Sequence, residues 1–467
     1  MQPDERAFEE HIAHALVERG GYRTVKVGNA SGDFDAGLGL DTAELFAFIG
    51  ETQPEAWDRL VKLHGGDAKA RDRFADRLAK ELDARGAVDV LRHGVVDLGV
   101  TIRLAFFRPA HGLTPRLVAR YEANRLTVTQ QLPYEPGTNR TLDLALFVNG
   151  LPVATAELKN ALTGQNVEDA KEQYRKRRDP RNVTLARRAV VHFAVDTEQV
   201  AMPPRLDGGG TRFLPFNRGS GGGKGNPPNP NGHRTAYLWE RAWEKDAWLD
   251  LLGRFVHVER PAKGSKSLGT VIFPRYHQWD AVLGLTAHAR RHGPGESYLV
   301  QHSAGSGKSN TIAWLAHRLS SLHDAHDTKV FDKVVVITDR VVLDKQLQET
   351  IYQFEHAHGV VEKIDGSSSK LAGALAGQAA RVIITTLQKF PFVLDKVESL
   401  PARRYAVLVD EAHSSQTGET AKEMKKVLGS GRIPSQDLAA EEPDGYGTEL
   451  TNPAEDALVR EAAVRGQ

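Results

Sequence analysis

An α/β protein with more than one hydrophobic core is what this sequence predicts, and three observations carry that prediction. Its 467 residues exceed what one ordinary core organises. Between residues 127 and 158 short apolar or alternating runs are joined by an Asn-Gly pair, the pattern of a strand hairpin. From residue 297 onward, apolar strands alternate with helical segments, as in a parallel sheet covered on both faces.

Composition narrows the class further. Hydrophobic residues make up 40% and charged residues 26%, the balance of a soluble globular chain. No apolar run reaches the roughly 18 residues of a spanning helix, so no membrane is expected. Met1 to Arg6 is acidic and lacks a secretory layout, which leads to a cytoplasmic expectation. With no cysteine, disulfides, thiol nucleophiles and cysteine zinc sites are excluded, so any metal must sit on oxygen or imidazole. The net charge of +1 hides any polyanion-binding face, which must be sought in local clusters. Lys171, Arg175, Lys176, Arg177, Arg178, Arg181, Arg187 and Arg188 form one such cluster, readable as a solvated helix face or as a phosphate-holding surface.

The elements follow in order. Phe8, Ile12, Ala15 and Leu16 recur at helical spacing and Gly20-Gly21 stops them, predicting an amphipathic opening helix. Strands are expected at 127–129, 142–148 and 153–158, with Asn149-Gly150 as the turn between the last two. A helix over 167–178 and a strand over 189–195 come next. Residues 208–233 are rich in Gly, Pro and Asn without periodicity and read as a long loop or linker. Trp239, Trp243 and Trp248 read as packing anchors on a helix. Further strands are expected at 298–300, 334–338, 382–385 and 406–409, with a helix starting near Lys308. The stretch from Leu438 is acidic and weakly patterned, and is expected to be poorly ordered.

Gly305-Ser306-Gly307-Lys308-Ser309 lies between an expected strand and an expected helix, the context of a phosphate-binding loop. Glycines let backbone N–H groups surround phosphates, the helix N-terminus adds its dipole, Lys308 reaches the terminal phosphates and Ser309 ligates magnesium. His302 stands where the first glycine of the strict pattern usually is. Asp410-Glu411-Ala412-His413 ends the strand 406–409, so Asp410 can hold magnesium and Glu411 can polarise water. This pair resembles motifs I and II of superfamily 2 helicases and translocases. The resemblance implies an ATP site that includes His413, with Gln278 of Arg275-Tyr276-His277-Gln278 reading the adenine edge. Thr338-Asp339-Arg340 and Thr385-Thr386-Leu387-Gln388-Lys389 resemble the motifs that touch the nucleic-acid backbone.

Asp143 lies in one hairpin strand, and Glu157-Leu158-Lys159 ends the next. Side chains repeat every second residue, so Glu157 and Lys159 share a side and can converge with Asp143. Two carboxylates can bind magnesium while the lysine orients water and stabilises developing charge; the alternative is a salt-bridged edge hairpin. Leu142 to Lys159 resembles the PD-(D/E)xK nuclease core. That resemblance implies a further acid on the opening helix, for which Glu9 is the candidate, and a glutamine on the following helix, matched by Gln173. The tyrosine four residues beyond that glutamine is Arg177 here.

A PD-(D/E)xK nuclease followed by a RecA-like lobe resembles the Type I restriction motor-and-nuclease subunit. The expected division is 1–205 nuclease domain, 206–234 loop or linker, 235–270 connecting helical segment, 271–437 first RecA-like lobe and 438–467 acidic tail. The resemblance implies ATP and Mg2+ as cofactors, double-stranded DNA as substrate, and modification and specificity subunits as partners, with S-adenosylmethionine used only by the partner methyltransferase. Residues 1–467 stop where the next motor motif is expected, which predicts a truncated form deficient in ATP hydrolysis. Two other readings stay open: a DNA or RNA helicase with a non-catalytic front domain, and a non-catalytic ATP- or DNA-binding fragment.

Overall fold

The computed structural model describes residues 3–27, 34–160, 164–259, 269–303, 305–338, 347–352, 360–364, 368–390, 403–411, 424, 427–428 and 463–465. His413, Asp339, Arg340 and most of the acidic stretch after Leu438 lie outside them. The chain divides into two compact units, Met1–Tyr276 and His277–Gln467.

The first unit opens with α1 (Pro3–Glu18), whose Phe8, Ile12, Ala15 and Leu16 are all buried. Its sheet has seven strands in chain order: β1 (Arg23–Val27), β2 (Leu126–Pro133), β3 (Thr141–Val148), β4 (Leu151–Leu158), β5 (Val191–Val195), β6 (Val200–Met202) and β7 (Leu214–Pro215). β1 runs parallel to β2 and β4 parallel to β5, while the other neighbours are antiparallel. The helices between β1 and β2 were not foreseen, among them α2 (Thr42–Thr52), α3 (Pro54–His64), α4 (Asp67–Arg85) and α5 (Ala87–His93). Their ends carry local signals. Asp41 caps α2 by accepting from the Glu44 N–H, Pro54 opens α3, and Gly65 closes it in a left-handed conformation. A short α6 (Pro115–Glu122) leads into β2.

α7 (Val167–Arg177) is the crossover from β4 to β5, as a parallel pair requires. Asn166 and Asp169 form a reciprocal capping box at its start. The Thr155 hydroxyl joins the Tyr174 hydroxyl at 2.8 Å and His192 Nδ1 at 2.7 Å, tying the helix to two strands. The Gly- and Pro-rich stretch is a long loop packed onto the first unit, the first of the two alternatives expected for it. It supplies β7, buries Phe216, and holds Asn226 by bonds to the Glu198 carbonyl and the Asn217 side chain. Side-chain amides replace periodicity there as the source of order. Trp239, Trp243 and Trp248 are buried, and α8 (Lys245–Asp250) carries the last of them.

The second unit holds α9 (Tyr276–His292), α10 (Lys308–Ser320), β8 (Lys333–Thr338), β9 (Val361–Lys363), α11 (Ser368–Ala376), β10 (Val382–Thr386), β11 (Tyr405–Val409) and β12 (Ala463–Arg465). The sheet order is β9-β10-β8-β11-β12, parallel except for the last pair. Every residue of β8, β10 and β11 is buried, which explains their unbroken apolar character. The strand expected at 298–300 is not formed. Residues 298 and 299 make only isolated bridges, Leu299 is half exposed, and the Tyr298 hydroxyl is taken by His288 Nδ1 at 2.6 Å.

Candidate functional site

Two groups of functional side chains stand out, one in each unit. In the first, the Asn149-Gly150 turn has both residues at positive φ, 52° and 81°, the signature of a tight two-residue hairpin. Counting straight back from this turn would set Asp143 opposite Ala156. Val153 is an extra residue on β4, between the pairs Phe147↔Pro152 and Leu146↔Ala154. The bulge shifts the register by one, so that Leu144 faces Ala156 and the next position sets Asp143 beside Glu157. Pro152, which cannot donate to a ladder, directly precedes the inserted residue. On the other side of β3, the pairs Gln130↔Leu144 and Leu132↔Leu142 put Gln131 beside Asp143. Gln131, Asp143 and Glu157 thus form one row across three strands, and cross-strand neighbours share a face.

The row is closely bonded. Asp143 Oδ2 accepts from the Leu158 N–H at 2.8 Å. Glu157, fully buried, accepts from Gln173 Nε2 on one oxygen and from Arg178 Nε at 2.6 Å on the other. Gln131, itself at φ 50°, donates from Nε2 to Glu9 at 2.7 Å and accepts from the Thr141 hydroxyl at 2.8 Å. Lys159 Nζ lies 3.4 Å from Glu5 Oε1. The folded chain therefore gathers Glu9, Asp143, Glu157, Lys159 and Gln173 into one neighbourhood. Burial, with Asp143 as a like charge, pushes the Glu9 carboxyl up to about 8. Burial and Asp143 likewise raise Glu157, against the opposing pull of Arg178.

Neighbouring carboxylates are hard oxygen donors, chemically suited to a divalent cation. Among the described residues, no three His, Asp or Glu side chains are arranged to hold a metal ion.

Gln131, Thr141, Glu5 and Arg178 were missed as site residues. The basic cluster needs correction as well, because Arg178 and Arg188 point inward. Arg188 is 1% exposed, donating to Asp83 at 2.7 Å and to the Leu38 carbonyl at 2.8 Å. The buried Glu157 holds the Arg178 guanidinium, whereas the buried Arg188 reaches out to the exposed Asp83. Lys171, Arg175, Lys176 and Arg181 pair with nearby Glu168, Glu172 and Asp179 on the surface. Such solvent-screened pairs are weak.

In the second unit, Gly305 (φ 73°) and Gly307 (φ 87°) take left-handed conformations and α10 begins at Lys308, the geometry of an anion-binding loop. Lys308 Nζ lies 2.9 Å from Asp410 Oδ1 and also pairs with Glu411, and these carboxylates raise its proton affinity although burial opposes them. Glu411 sits at φ 53°, a strained conformation for a residue with a side chain, just past the end of β11. Ser309 follows in the first turn of α10. Gln278 donates to the Ser306 and Gly307 carbonyls at 3.1 and 2.9 Å, fastening α9 to the loop. His302 contacts the Ser306 hydroxyl at 3.1 Å, and burial with His277 and Lys308 lowers it to about 4, so it stays neutral. Thr338 and Thr385 are buried, whereas Gln388 is exposed.

The second unit has the arrangement of a helicase-like ATPase lobe: a parallel sheet whose strand-end acids face a glycine loop and its lysine. Residues 277–433 match the family described as SWI2/SNF2 ATPase, and residues 118–210 match the Type I restriction enzyme R protein N terminus. In this order the two matches support an N-terminal portion of a Type I restriction R protein joined to a helicase-like lobe. A Type I restriction enzyme endonuclease subunit of Staphylococcus aureus (strain COL) is 25% identical over 318 residues, covering 65% of this chain and 30% of the relative. The HindI endonuclease subunit of Haemophilus influenzae is 27% identical over 311 residues, covering 64% and 28%. The chain spans under a third of the length of these relatives. No helix among the described residues is long and apolar enough to cross a membrane.

Proposed function

We propose that this chain performs DNA restriction within a Type I restriction-modification complex, cutting double-stranded DNA at a PD-(D/E)xK site in its first unit and driving translocation from the ATP site in its second. The observation that carries the reading is the bulged hairpin register, which aligns Asp143 with Glu157 in the same polypeptide as a phosphate loop. Asp143 and Glu157 would hold Mg2+ in the nuclease site, and Ser309 and Asp410 would hold it in the nucleotide site. When bound there, the ion neutralises phosphate charge and lowers the pKa of water. Lys159 places an ammonium on the same side as Glu157 to meet charge developing on the cleaved phosphodiester. Glu9 supplies a further acid beside Asp143, and Gln173 holds Glu157 in place through its hydrogen bond. In the second unit, Lys308 exchanges its two carboxylate partners for the terminal phosphates of ATP, which frees Glu411 to polarise water.

The implied partners are the modification and specificity subunits, which recognise the DNA site, and S-adenosylmethionine belongs to the methyltransferase. The setting is the cytoplasm.

Paired substitutions test the two halves separately in the assembled complex. Lys308→Ala is expected to lower affinity for ATP at least tenfold by equilibrium binding. Asp143→Asn is expected to abolish DNA cleavage while ATPase persists. ATP affinity unchanged by Lys308→Ala would remove the motor assignment. The engagement of both Glu157 oxygens by protein donors favours a second reading, a helicase-like ATPase whose front unit is structural; full cleavage by Asp143→Asn would select it.

A further inference from the structure

Arg178 stands at the C-cap of α7 in extended conformation, φ −110° and ψ 123°, so its side chain departs from the helix and enters the sheet. Its Nε donates to Glu157 Oε1 at 2.6 Å and its second guanidinium nitrogen donates to the Thr141 carbonyl at 2.8 Å. The guanidinium carbon lies 5.4 Å from the centre of the Tyr134 ring. The side chain is 6% exposed and that of Glu157 is fully buried. A resident cation therefore sits on a carboxylate that the nuclease reading gives to a divalent ion.

We propose that Arg178 is an internal competitor for that ion: its guanidinium holds Glu157 closed, and a divalent cation must displace it to bind, so Arg178 sets the metal affinity of the site. The proposal rests on the nuclease reading and deepens it. Two cations on one buried carboxylate repel strongly, because little water screens them, so occupancy is exclusive. The position suits movement. Arg178 is outside the helical hydrogen-bond ladder, Pro180 two residues on prevents the helix from continuing, and its side chain is held by Glu157, Thr141 and the Tyr134 ring. A phosphodiester arriving at the site offers the guanidinium another anion. Substrate arrival and metal entry then favour the same displacement, which keeps the site closed when DNA is absent.

Mn2+ binding to the full chain without nucleotide, followed by the loss of the free-ion electron paramagnetic resonance signal, tests this. Arg178→Met is expected to bind Mn2+ about tenfold or more tightly than wild type, the range over which groups that engage metal ligands tune affinity. Arg178→Lys, which keeps the charge, should stay nearer to wild type. Asp143→Asn should remove the binding gained by Arg178→Met. Equal affinity in wild type and Arg178→Met, or a gain that survives Asp143→Asn, overturns the competitor role while leaving the nuclease reading standing. Absence of Asp143-dependent Mn2+ binding in every variant removes both. Should Arg178→Met fail to fold by circular dichroism, wild-type crystals soaked in Mn2+ decide: the guanidinium should have left Glu157, and an ion bound with that contact intact overturns the proposal.

Discussion

Glu9 holds its proton far above the ordinary value of 4.5, at about 8, because it is buried on α1 beside Asp143. A carboxyl whose folded pKa exceeds its unfolded one contributes stability that is complete below about pH 4.5 and is lost as pH rises through 8. Unfolding free energy should therefore fall across that window by on the order of a few kcal/mol. Glu9→Gln, which keeps an oxygen for Gln131, should flatten the slope in urea titrations at pH 5 and pH 9; an unaltered slope would assign it to other groups. Glu9 was legible only through the resemblance. Gln131 was not legible at all, since its role depends on a positive φ that no residue pattern announces. Arg178 was misread for a related reason: an arginine among other basic residues looks like surface until a buried carboxylate is known to lie beneath it.

At the scale of elements, the Asn149-Gly150 turn was plain from its dipeptide, yet the bulge that follows it was not. Turn chemistry fixes where a hairpin begins, whereas an inserted residue such as Val153 is settled by packing on β3 and β5. Gly150 is required twice, by its φ of 81° and because a Cβ there would run into the Asp41 carbonyl. Gly150→Ala is expected to cost about 1–3 kcal/mol in denaturant melts and to lower cleavage through the register it disturbs. A stability change within about 0.5 kcal/mol, the range of a neutral surface substitution, would show that the turn tolerates a side chain. The buried strands β8, β10 and β11 were legible because both faces are apolar. Residues 298–300 carry a similar apolar look without that burial, which is why they misled.

For the whole molecule, hydrophobic runs and their spacing were enough to anticipate two α/β regions and the order of their motifs. They did not reveal the helices α2–α5, whose amphipathic stripes carry no motif, nor that the glycine-rich stretch is packed through Asn226 and Phe216. The central claim is that the first unit cuts DNA by way of Asp143, Glu157 and Lys159. It meets its most direct test when the assembled complex carries Lys159→Ala and DNA cleavage and ATP turnover are measured together on one circular substrate. Cleavage is expected to fall by about 100-fold or more, the scale of losing a charge-stabilising group, with ATP turnover retained. Cleavage at the wild-type rate would contradict the account.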